Sequence, residues 1–126
     1  MPATVLWFDT EEFVDSQAER DERINENIGG AALAKWLASS LRGVGMEVVD
    51  PWAEDHGWDF NVAEAVANYT IVCTIEDETG DPRSACVQVH KAGSFWRRQP
   101  PLGSDDPVLQ KIVSLLEGRG AAIKAE

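Results

Sequence analysis

Basic side chains are missing from the middle of this sequence. No Lys or Arg occurs between Arg42 and Arg83, a stretch that carries Glu47, Asp50, Glu54, Asp55, Asp59, Glu64, Glu76, Asp77, Glu78 and Asp81. Over the whole chain 22 Asp and Glu stand against 11 Lys and Arg, a formal charge of −11. Such a field repels nucleic acid and anionic membranes and attracts a basic partner. Solubility alone is the other reading of the same charge. Long hydrophobic runs are absent too. The opening MPATVLWFDTEE has no basic n-region and too short an apolar run for a signal peptide or a membrane span. A cytoplasmic location is expected, with Cys73 and Cys86 reduced. Histidine is confined to His56 and His90, and no P-loop, GxGxxG, GxSxG, HExxH or CxxC occurs. Nothing here announces a nucleotide, a hydrolytic triad or a cofactor, so none is expected.

What is present reads as one domain spanning residues 1–126. Thr4 to Phe8 has the β-branched and aromatic make-up of a strand. Ser16-Gln17-Ala18-Glu19 matches a capping box and can open a short exposed helix, with a solvated acidic loop as the alternative. Leu33, Leu37 and Leu41 recur on one face of a helix expected from Ile28 to Arg42, with Asn27 as N-cap and Gly43 as its stop. Gly29-Gly30 weakens its first turn by roughly 1 kcal/mol each, so the helix could also start later. Met46 to Val49 is a short strand that Pro51 should end, and Trp58, Phe60 and Val62 alternate as a half-buried one. AEAVAN (63–68) fits either more strand or a turn.

Tyr69 to Ile75 and Ala85 to Lys91 are the strongest strands, joined by the hairpin loop DETGDP. SFWRRQPPLGS reads as loop or edge strand. Asp106 then caps a helix with Pro107 at its first position; its core face is Val108 or Leu109, Ile112, Val113 and Leu116, and Gly118 closes it. Arg119 to Glu126 is expected to be a poorly ordered tail. The elements imply an α+β two-layer sandwich, a mostly antiparallel sheet of about five strands with two helices on one face.

Alternation on the hairpin also settles the cysteines. Cys73 shares the apolar face of Tyr69, Ile71 and Ile75, whereas Cys86 falls with Gln88 and His90 on the other side. No disulfide is expected between opposite faces. Cys73 reads as core and Cys86 as the more exposed. His90 lies about 13 Å along the strand from Cys86, too far to activate it.

The segment with most chemistry is AEDHG between Trp52 and Trp58. Trp52, Glu54, Asp55, His56, Trp58 and Asp59 form the candidate binding set, because indoles beside carboxylates suit a protein-binding surface; indoles closing the core is the competing reading. Glu54, Asp55, His56 and Asp59 offer hard oxygens and an imidazole to a divalent ion, but in no established ligand spacing. Phe95-Trp96-Arg97-Arg98 could stack on nucleic acid, though pairing with the chain's own acids is simpler.

The helix GGAALAKWLASSLRGVG followed by MEVVDPWAEDHGWDF resembles a group of small uncharacterised bacterial proteins. In these a G-x-x-LA-x-x-L-x-x-x-L helix precedes an E-D-(W/H)-G-W element. Here His56 stands where tryptophan is more usual. The resemblance implies a small α+β fold and marks Glu54, Asp55, Gly57 and Trp58 as a shared element, without implying an activity.

The leading expectation is therefore a non-catalytic acidic module, monomer or weak homodimer, that binds and masks a basic protein surface as immunity proteins and inhibitors do. It would have no direct nucleic-acid or membrane partner. A nucleic-acid mimic is one alternative, and a minor metal-dependent enzyme using Asp55, His56 and His90 is the other.

Overall fold

The alternation along the chain becomes an antiparallel sheet in the structure, a computed structural model in which residues 3–64, 67–76, 83–92 and 102–125 are described. The elements are β1 (Ala3–Thr10), α1 (Gln17–Asp21), β2 (Ile28–Gly29), α2 (Ala31–Gly43), β3 (Glu47–Glu54), β4 (Gly57–Glu64), β5 (Ala67–Glu76), β6 (Arg83–Ala92), α3 (Pro107–Gly118) and β7 (Lys124–Ala125). Among the described residues the strands form one seven-stranded sheet in the order β3-β4-β5-β6-β1-β7, with β2 paired to β5. Every pairing is antiparallel. The expected α+β class with a mostly antiparallel sheet holds, but the element count does not. The added strands β2 and β7 are two residues each, too short to leave a periodic signal. The added helix is α1, and its capping box forms as read: Ser16 N–H donates to the Glu19 carboxylate at 2.8 Å, and Glu19 N–H to the Ser16 hydroxyl at 3.2 Å.

Leu6 and Phe8 of β1, Phe60 and Val62 of β4, Ile71 and Cys73 of β5, and Val87 and Val89 of β6 point into one core. Leu33, Leu37 and Leu41 of α2 and Val108, Leu109, Ile112 and Leu116 of α3 complete it. Val113 is only partly buried against this cluster.

Helix α2 begins three residues later than Ile28, and Asn27 does not cap it. Gly30 is the N-cap with φ +135°, and a Cβ there would stand 2.4 Å from the Cys73 carbonyl oxygen. The Asp15 carboxylate supplies the missing cap from a distance, accepting from Gly30 N–H at 3.3 Å and Ala32 N–H at 2.9 Å. The helix closes beyond Gly43: Gly45 N–H bonds to the Arg42 carbonyl and Met46 N–H to that of Leu41. In α3 the same arrangement uses Gly120 and Ala121, so Gly118 is the last helical residue and not the stop.

Asp106 is the α3 cap foreseen, and more. Its buried carboxylate accepts from Val108 and Leu109 N–H, from the Tyr69 hydroxyl at 2.8 Å and from the Lys91 ammonium at 2.8 Å, tying α3 to β5 and β6. Burial alone would raise its pKa. The Lys91, Leu109 and Tyr69 hydrogen bonds outweigh that and hold it below the ordinary aspartate value.

Pro51 does not end β3. The register shifts between Val49 and Trp52, and the strand continues to Glu54. A proline at a bulge on an edge strand removes no ladder hydrogen bond. AEAVAN divides between the ends of β4 and β5, with residues 65–66 outside the described set. DETGDP and most of SFWRRQPPLGS, the Phe95–Arg98 cluster included, also lie outside it. The expected tail is built into the fold: Ala121 and Ile123 pack on the core, and Lys124 pairs with Trp7 on β1.

Candidate functional site

Helices cover one face of the sheet. On the other, the pairing lays side chains out in rows. Trp52, Asp59, Val72, Gln88 and Val5 run across β3, β4, β5, β6 and β1. Val49, Asn61, Thr70 and His90 form the row on one side of them, and Thr74, Cys86 and Trp7 the row on the other. Val72 and Cys86 are each 5% exposed yet stand outside the core cluster, so the neighbouring side chains of this face cover them. Hollows of 250, 430 and 600 Å³ run over the face, lined among the described residues by strand side chains and the β3–β4 turn. A smaller cleft of 210 Å³ at the β1 edge holds Glu12 and Arg119, whose charges are spent on each other at 2.7 Å.

The sequence placed some of this. Cys73 lies in the core and Cys86 on the opposite face, and no disulfide joins them. Burial, then the charges of Asp59 and Cys86, push the Cys73 thiol far above the ordinary thiol range, which leaves it inert. Cys86 is not the exposed thiol expected, because Trp7 and Thr74 flank it.

The AEDHG segment is a tight hairpin. Glu54 pairs with Gly57, leaving Asp55 and His56 as the turn. Gly57 has φ +144°, and a Cβ there would meet the Cys73 carbonyl oxygen at 2.4 Å. The Thr74 hydroxyl donates to the His56 carbonyl at 2.7 Å and pins the turn to β5. Trp52 donates its indole N–H to Glu54 at 2.8 Å, on the open face. Trp58, by contrast, is 2% exposed and belongs to the core, with the Lys35 ammonium 5.6 Å from its ring centre. Alternation explains the split: Trp58 shares its side with Phe60 and Val62, while Asp59 faces the other way.

His56 Nε2 lies 2.8 Å from Asp59 Oδ1, and His90 Nε2 lies 3.2 Å from the Gln88 side-chain oxygen. Both histidines line the 430 Å³ hollow with Asp59, Thr70, Val72 and Gln88. Burial raises the Asp59 carboxyl above its ordinary value; the hydrogen bond and charge of His56 pull against this, and Glu54 adds to it. Among the described residues no group of three or more His, Cys, Asp and Glu is placed to hold a metal ion. Asp55 stays exposed at the turn, away from this hollow.

Asp9, Glu47, Glu54, Asp59 and Glu76 stand on this face by their register, with Lys124 the one Lys or Arg beside them among the described residues. The sequence reading missed Trp7, Asp9 and Glu76 as members. A signal existed for Trp7: if Leu6 and Phe8 enter the core, Trp7 between them faces out, and it is 40% exposed. No family model, curated protein or solved structure matches the chain.

Proposed function

We propose that the chain is a non-catalytic interaction module whose sheet face opposite the described helices binds and masks a basic protein surface, in the manner of immunity proteins and inhibitors. The observation that carries this is the charge of that face. Among the described residues Asp9, Glu47, Glu54, Asp59 and Glu76 share the face with one cation, Lys124, while Trp7 and Trp52 stand on β1 and β3 as aromatic anchors. Aromatic anchors in a rim of one charge suit fast, steered association.

An NMR titration with a short peptide rich in lysine and arginine tests it. Amide shifts should concentrate on Trp7, Trp52, Asn61, Thr70 and Gln88, and Glu54→Lys with Glu76→Lys should slow association roughly tenfold at low salt. Shifts confined to the helix side, or spread evenly over the molecule, would sink the reading. A nucleic-acid mimic is the special case in which the masked surface is a nucleic-acid groove.

The His56–Asp59 pair with His90 nearby favours a second reading, a general base oriented by a carboxylate. It ranks lower because the hollow offers Thr70 and Gln88, not an activated nucleophile, beside the pair.

A further inference from the structure

Trp7 and Glu76 wall a trough whose floor is made of small side chains. On β6, Cys86 pairs with Trp7 of β1 on one side and with Thr74 of β5 on the other. One row on, Ser84 pairs with Asp9 of β1, and Glu76 follows Ile75, the partner of Ala85, so it lies opposite Ser84. The walls are therefore two strand spacings apart and offset by two residues along the strands, roughly 12 Å between their backbones. An exposed indole stands diagonally from a carboxylate across Cys86 and Ser84, and a second carboxylate, Asp9, stands two residues from Trp7. The hollow measures 250 Å³.

The protein's own aromatic rings show what such a wall attracts. Trp58 carries Lys35, Tyr69 carries Lys91, and Phe13 and Trp36 share Arg119, with the cation 5.5 to 5.8 Å from each ring centre. No cation–ring contact is seen at Trp7 among the described residues, although Asp9 and Glu76 stand near it and Lys124 is its partner on β7. Resting on the docking reading above, we infer that this trough is the anchoring subsite for an arginine side chain of the basic partner. A guanidinium is planar, stacks on an indole and forks onto a carboxylate, so Trp7 and Glu76 can engage it together. A lysine ammonium is a point charge and gains less from the indole face.

The test uses two peptides of equal charge, one with arginine and one with lysine, titrated into the isotopically labelled protein while the Trp7 and Trp52 indole resonances are followed. The arginine peptide should bind roughly threefold or more tighter and move the Trp7 indole. Trp7→Ala and Glu76→Gln should each remove most of that preference, Trp7→Phe should keep part of it, and Trp52→Ala should leave it intact. Equal affinities with an unmoved Trp7 indole, while Trp52, Asn61 and Thr70 shift, would overturn the arginine subsite and leave the docking reading standing. Silence over the whole face would remove both.

Discussion

The two faces of the sheet dispose of charge in opposite ways. On the helix side several carboxylates are paired with cations. Asp15 meets Arg23 at 3.0 Å, Asp106 meets Lys91, Glu19 meets Lys35 at 2.9 Å, and Asp50 meets Arg42 at 2.7 Å. On the open face the carboxylates have imidazole, indole and amide neighbours, and Lys124 at the edge. The ion pairs that Lys and Arg form among the described residues thus lie away from the open face, while carboxylates outnumber cations on both sides.

If the helix side depends on internal pairing, breaking one pair should be costly there. Asp106→Ala removes the α3 cap and strands Lys91, and should cost about 5 kcal/mol in urea unfolding, with Asp106→Asn costing less. An unchanged midpoint would mean the hub is ornamental. The apolar layers should differ in the same sense. Phe60→Ala leaves a sealed cavity and should cost about 4 kcal/mol, whereas Val72→Ala, under side chains that can relax toward water, should cost about 1 kcal/mol. Equal costs would show that the open face is sealed like the core.

The smallest effect separates the faces by pH. Asp106 has a lowered folded pKa, so its stabilisation is present above the unfolded aspartate value and is lost as pH falls through the folded one. Asp59 has a raised folded pKa, so its contribution is present below the unfolded value and is lost as pH rises through the folded one. The stability difference between Asp59→Asn and the parent should therefore grow in the variant's favour as pH rises across that interval. A pH-independent difference would show that the Asp59 carboxyl is not strained by burial.

Local signals were legible where one residue type acts through its immediate neighbours. Ser16 with Glu19, Asp106 with Pro107, and the opposed facing of Cys73 and Cys86 all read directly. Signals failed where a distant partner decides. Nothing beside Gly30 reveals that Asp15 will cap α2, and nothing beside Pro51 reveals that β3 is an edge that tolerates it. Of the candidate set, Trp52, Glu54, His56 and Asp59 gather on the open face or its turn, while Trp58 turns inward because proximity in sequence ignores the two-residue period of a strand. The face itself is a product of five strands, and no segment of the sequence contains it.

The Cys73 carbonyl oxygen is approached by both Gly30 and Gly57, each of which would place a Cβ 2.4 Å away. One point on β5 therefore fixes both where α2 begins and where the β3–β4 turn sits. Beyond the positive φ that each glycine carries on its own, the two share this one steric constraint. Once a side chain at either has displaced that carbonyl, a side chain at the other has less left to disturb, so the double substitution should cost less than the sum of the two single ones.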